Sequence, residues 1–132
     1  MRNRAAVLGV GQTRHRSRRP DVSIAGLCRE AVDRALADAG LAAGADRVDV
    51  AELHAPFTHQ ELLLREALRL GDGVDVNPSG GALCGNPMFA AGLARIGMAA
   101  QAVMTGRAGR ALGHATSGPA LQQNLVCVLE GQ

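Results

Sequence analysis

The residues able to do chemistry near neutral pH are few: His15, His54, His59 and His114, and three cysteines, Cys28, Cys84 and Cys127. One of them, Cys84, lies in the stretch around which the chain is organised, Val74 to Leu93, which reads VDVNPSGGALCGNPMFAAGL. There an alternating strand (Val74, Val76) runs into Asn77-Pro78-Ser79-Gly80-Gly81. A second turn, Gly85-Asn86-Pro87, leads to a helix carrying Met88, Phe89, Leu93 and Ile96. Glycine clusters let backbone approach a ligand closely, and a helix N-terminus offers unpaired N–H groups to an anion or oxyanion. The same pattern also describes a tight strand-to-helix turn with no ligand. Cys84 is the one cysteine placed to be exposed or reactive, although no cationic residue adjoins it to lower its pKa. Cys28 and Cys127 sit in apolar periodic segments and read as buried thiols. His15 and His59 read as solvent-facing or capping residues without a role.

Strands and helices must position these groups. Ala5 to Val10 is a short apolar run and a buried strand. Gly9-Val10-Gly11 does not open a dinucleotide fingerprint, because the third glycine would fall at Arg14 and no helix starts there. Gln12 to Arg19 is a loop; Asp21 or Ser23 caps a helix whose apolar face is Ile24, Leu27, Cys28, Ala31, Ala35 and Ala39, and Gly40 ends it. That alanine-rich face calls for close packing on a sheet or a partner helix.

Leu41 to Asp46 is a connection and Val48 to Leu53 an alternating strand, and Thr58 with Glu61 forms a capping box for a helix from Leu62 to Leu70. His54 then stands at the carboxyl end of a strand, where sites gather in open α/β sheets. The helix after Pro87 continues to Met104. Arg107 to His114 and Leu121 to Leu129 are two strands, paired antiparallel across the turn Thr116-Ser117-Gly118-Pro119. The order strand, helix, strand, helix, strand, helix, strand, strand specifies one α/β domain over residues 1–132, layering helices on a mixed sheet.

The 132 residues are 47% apolar but include only Phe57 and Phe89 as aromatics, so the core is built from small aliphatic side chains. A net charge of +2 implies no strong electrostatic partner. Arg2, Arg4, Arg14, Arg16, Arg18 and Arg19 all precede the first acidic residue, Asp21. Such an arm suits the phosphates of a nucleic acid or of a nucleotide-containing cofactor, or simply stays solvated. No aromatic is interleaved for base stacking, which ranks nucleic acid low. The odd, unspaced cysteines and the lack of a leader or long apolar run point to a reduced, cytoplasmic, non-membrane protein with no metal site.

Several segments, taken in order, resemble the thiolase-like superfamily, and within it the sterol-carrier-protein-x or bacterial lipid-transfer-protein type. Ala5 to Thr13 followed by Ala31 to Leu41 is similar to the opening of such proteins. Asp49-Val50-Ala51-Glu52-Leu53-His54-Ala55-Pro56-Phe57-Thr58 resembles the D-x-x-E-x-H-D-C-F-T segment. Asn77 to Gly81 through Gly85-Asn86-Pro87 resembles the N-P-S-G-G…G-H-P loop, and His114 to Pro119 the closing glycine-rich loop. Full-length members are roughly three times longer than a domain of this size. The resemblance passes from the family's first helix to its C-terminal half near Asp46, omitting the nucleophilic cysteine loop. The family's H-D-C-F cysteine falls at Pro56 and its G-H-P histidine at Asn86.

The resemblance implies thioester chemistry, which needs a thiolate nucleophile, a base for the α-proton and an oxyanion hole. His54 is then a donor to a thioester oxygen, Asn86 a polar contact that cannot shuttle protons, His114 the remaining base candidate, and Cys84 a weak replacement nucleophile. Gly80, Gly81, Gly85, Ser117 and Gly118 would line a coenzyme A or acyl-CoA site, with no tightly bound cofactor. The leading expectation is a catalytically degenerate subunit that forms a homodimer or larger assembly, or joins a full-length thiolase-like or small OB-fold partner. The alternatives are an active acyl-CoA enzyme (a thiolytic acyltransferase or a retro-aldol lyase) using His54 and His114, and an acyl-CoA or nucleotide binding module.

Overall fold

A computed structural model describes residues 4–42, 48–118 and 121–132. The strand β1 (Ala5–Gln12) is followed by α1 (Ile24–Asp38), β2 (Val50–Glu52), α2 (Thr58–Ala67), β3 (Asp75–Val76), a one-turn helix α3 (Gly81–Cys84), α4 (Ala91–Met104), β4 (Arg110–Ser117) and β5 (Gln123–Gly131). The five strands form one mixed sheet in the order β1-β5-β4-β2-β3. β1/β5 and β5/β4 are antiparallel, as expected of the last two strands; β4/β2 and β2/β3 are parallel. The layered α/β arrangement with a mixed sheet is therefore the one the sequence specifies.

Alternation along the strands makes two cores. On one face Leu112, Val126 and Val128 meet Cys28, Ala31, Val32, Ala35 and Leu36 of α1 and Leu64 of α2. On the other Val50, Ala111, Cys127 and Leu129 meet Ala99, Ala102 and Val103 of α4. Cys28 and Cys127 are buried thiols and Cys84 is exposed, as their settings in the sequence indicate.

The alanine face of α1 lies directly on β1, and the glycines of β1 permit it. A Cβ at Gly11 would stand 2.0 Å from the Ala31 carbonyl oxygen, and one at Gly9 2.3 Å from that of Ala35. Ser23 caps α1, its hydroxyl accepting from the Gly26 N–H at 3.1 Å, and Gly40 (φ 70°) follows its end.

Several boundaries differ from expectation. The capping box does not form: Phe57 is the N-cap of α2 and makes no side-chain cap bond. Thr58 is already helical, and Glu61 instead accepts from Asn77 Nδ2 at 2.7 Å and pairs with Arg65. α2 consequently runs Thr58–Ala67, and Leu68 and Arg69 (φ 53°) end it. The helix expected from Met88 starts only at Ala91, because Pro87 to Ala90 form a turn closed by Ala90 N–H on the Pro87 carbonyl (2.8 Å). β4 starts and ends three residues later than expected and β5 two, so Ser117 belongs to a strand and not to a turn. Most of the expected Leu41–Asp46 connection, and Pro119, lie outside the described residues.

Candidate functional site

The parallel strands β2 and β4 end at the same side of the sheet, next to the start of α4 and the end of β1. A cavity of about 360 Å³ opens there, lined by Gln12, His15, His54, Met88, Phe89, Gly92, Leu93, Ala115, Thr116, Ser117, Gln123, Asn124 and Leu125. Its floor is possible because position 92 is glycine: a Cβ there would stand 2.5 Å from that of Ala115. Its lip is apolar, with Met88, Leu93 and the fully exposed Phe89 (101%).

His54 follows β2 and is half-buried. Its Nδ1 receives the Thr116 backbone N–H at 3.3 Å. A backbone N–H can only donate, so Nδ1 carries no proton and the neutral ring is protonated at Nε2. That Nε2–H donates to Asn86 Oδ1 at 3.2 Å. Burial lowers the His54 pKa from its ordinary value and favours this neutral form. Of the residues singled out from the sequence, His54 and Asn86 are thus brought together, and Ser117 lines the same cavity.

The others are placed elsewhere. His114 is not positioned as a base in the cavity. Ala115 and Ser117 point to the cavity face, so by strand parity His114 points, like Leu112, to the opposite face under α1. There it is 1% exposed; its Nε2 lies 2.9 Å from Asn124 Oδ1, which also accepts from Cys28 Sγ at 3.0 Å. Cys84 lies on α3 outside the cavity lining, at the exposed surface. Gly80 (φ 90°) and Gly81 (φ 61°) shape the loop without lining the cavity, and a Cβ on Gly80 would meet Cys84 Sγ at 2.5 Å. Gly85 is extended (φ −170°) with open space beside it, so its path needs no glycine. Gly118 (φ 80°) turns the chain directly after Ser117.

Two supporting groups escaped the sequence reading. Asn77 (φ 52°) accepts the Leu53 N–H at 2.6 Å and so fixes the strand end that bears His54. Glu52, 1% exposed, accepts from Ser79 N–H (3.1 Å), Ser79 Oγ (2.7 Å) and Arg95 Nη1 (3.3 Å), locking the Ser79–Gly81 loop to β2 and α4. For the first the sequence offered only the turn dipeptide Asn77-Pro78 at the end of a strand. For the second, strand alternation gave no signal; only its place as the E of the D-x-x-E-x-H resemblance singled Glu52 out. Among the described residues no group of three or more His, Cys, Asp and Glu could hold a metal ion, and no helix is long and apolar enough to cross a membrane.

The buried His114 carries a pH prediction. Burial pushes its pKa down from 6.5 to about 4. Between those values the unfolded chain binds a proton that the folded chain refuses, so stability is complete above pH 6.5 and falls as pH drops towards 4. The loss reaches about 3 kcal/mol. Thermal melts at several pH values should show this slope in the wild type and a flatter one in His114→Leu; equal slopes would mean that another group controls acid stability.

No protein-family model matches the chain, and no curated protein matches it. Solved structures do. The human mitochondrial 3-ketoacyl-CoA thiolase superposes on 97% of this chain with TM-score 0.75 and 22% identity, the match covering 30% of the thiolase. A monomeric SCP2-thiolase-like protein type 1 from Mycobacterium smegmatis gives TM-score 0.75 and 19% identity over 96% of this chain and 29% of its own. The priming β-ketosynthase of a polyketide biosynthetic pathway gives TM-score 0.66 and 19% identity over 99% of this chain and 51% of its own. The chain has a thiolase-like fold, in the form of a single half domain, and spans from under a third to about half of these similar structures.

Proposed function

We propose that this chain is a shortened thiolase-like subunit of the sterol-carrier-protein-x or lipid-transfer type, which holds an acyl thioester without turning it over and works within a homo- or hetero-oligomer. The observation that carries this reading is the His54 Nε2–H, directed at Asn86 Oδ1 from the wall of a cavity with an apolar lip. A thioester carbonyl oxygen taking the place of Asn86 Oδ1 would receive the same Nε2–H, while Met88, Phe89 and Leu93 cover the acyl chain. The chemistry stops there. No cysteine lines the cavity, the neutral His54 has its Nδ1 lone pair occupied, and an amide at position 86 cannot take a proton. Assembly is favoured by the apolar side chains left exposed along α3 and α4, namely Leu83, Leu93, Met98 and Met104.

Calorimetry with acyl-CoA and the purified chain is expected to give binding without release of free CoA. His54→Ala should weaken that binding about fivefold to tenfold, the worth of one hydrogen bond. Native mass measurement should find a dimer or larger species. Free CoA released by wild type and not by His54→Ala would establish the second reading, an active acyl-CoA enzyme; a monomer that ignores acyl-CoA would end both.

A further inference from the structure

The arm between β1 and α1 has a second depression, lined by Arg14, Arg16, Arg19, Asp21, Glu30 and Arg34. Its floor is fixed. Arg19 holds Asp21 through Nε (3.0 Å) and reaches Glu30 Oε2 through Nη2 (2.9 Å). Arg34 pairs with the other Glu30 oxygen at 2.8 Å and donates to the Gln12 carbonyl at 2.5 Å. Two guanidinium groups and two carboxylates therefore neutralise each other and set a rigid frame. Arg14 and Arg16 remain exposed, and among the described residues neither side chain makes a hydrogen bond or ion pair. The four arginines and two carboxylates that line the depression leave it with a net charge of about two positive, Arg16 also lying near enough to Asp21 to help Arg19 hold its pKa down.

Between those two arginines stands His15, which lines the His54 cavity and lies 2.6 Å from Gln12 Nε2. The arm therefore sends its side chains alternately to the two depressions: Arg14 and Arg16 to one, His15 to the other. A ligand with an uncharged thioester end and a phosphorylated end fits that pairing. Guanidinium groups bind phosphate oxygens through short, charge-assisted hydrogen bonds.

We propose that Arg14 and Arg16 form a phosphate-binding site for the nucleotide end of the same acyl-CoA whose thioester lies beside His54. This rests on the reading of the His54 cavity given above, and the experiment separates the two. Full-length wild type and the Arg14→Ala/Arg16→Ala variant are titrated with three probes: adenosine 3′,5′-bisphosphate, an acyl-pantetheine without phosphates, and acyl-CoA. Both side chains are exposed and unpaired, so the variant should keep the wild-type circular dichroism and melting temperature.

The double variant should bind the bisphosphate and acyl-CoA at least about tenfold more weakly, the scale of one charged hydrogen bond. Acyl-pantetheine binding should not change, and Arg14→Lys/Arg16→Lys should restore part of the loss. Wild-type affinity for acyl-CoA should exceed that for the bisphosphate. Equal bisphosphate binding by wild type and double variant, or none by either, overturns the site. Equal affinity for acyl-CoA and the bisphosphate overturns the shared ligand, and a single-stranded oligonucleotide that outcompetes the bisphosphate overturns it in favour of nucleic acid. Loss of acyl-pantetheine binding alone would leave the arginine site standing and remove the thioester pocket.

Discussion

Replacing Arg95 with Leu should destabilise the fold by about 3–5 kcal/mol, the range for breaking a buried ion pair from one side. Arg95 on α4 lies 3.3 Å from Glu52 on β2, with side chains 6% and 1% exposed. Without the guanidinium, Glu52 keeps only the Ser79 N–H and O–H, and its charge is stranded between sheet and helix. A domain of this size has about 5–15 kcal/mol in total, so the variant would sit near the edge of folding. The informative comparison is Glu52→Leu/Arg95→Leu, which removes both charges and should recover part of the loss. The chain has neither Trp nor Tyr, so urea unfolding is followed by far-ultraviolet circular dichroism. A single variant as stable as wild type would mean that water reaches Glu52 and that the pair does not hold the Ser79 loop.

Gly11→Ala should cost about 3 kcal/mol or more, because both elements must move and neither can do so through a side chain. Its Cβ would lie 2.0 Å from the Ala31 oxygen and 2.4 Å from the Ala35 nitrogen, both backbone atoms of α1. Relief requires the helix to lift off β1 and open the core at Cys28, Ala31 and Ala35. Gly97→Ala in α4 makes the contrast. Nothing stands within 4 Å of that added methyl, so it should stabilise by about 0.5–1 kcal/mol through helix propensity alone. Melting temperatures of the two variants moving in the same direction would refute the packing argument.

Much of this was legible in the sequence. The strand of small and apolar residues at Ala5, the alanine stripe of α1 and the glycine punctuation near Asn77 each obey one local rule, and the layered mixed sheet follows from their order; the strand at Ala5 is nonetheless an edge strand with Val7 and Val10 exposed, not the buried one its apolar run implies. The position of His54 just after β2 was legible because the end of a strand is a positional argument that tolerates an error of a residue or two. His114 was misplaced because facing is not so tolerant: ending β4 at His114 hides the parity that turns it under α1, away from Ser117. The Met88 helix start failed because Pro87 fits both a first helical turn and an ordinary turn, and the chain takes the turn, closed by the Ala90 N–H on the Pro87 carbonyl. Glu52 and Arg95 are far apart in sequence, so only the tertiary fold discloses their pairing.

The sheet order has one more consequence, for how the chain comes together in time. Among the described residues β1 has a single neighbour, β5, with Ala5 opposite Gly131 and the Gln132 N–H on the Arg4 carbonyl at 3.0 Å. β1 therefore waits for β5, which follows all the other strands of this sheet in chain order, before any of its sheet hydrogen bonds can form. Until then α1 has no sheet to lie on and its alanine face stays in water. Closing so long a loop makes the topology a slow one, and apolar surface stays exposed until β1 and β5 pair.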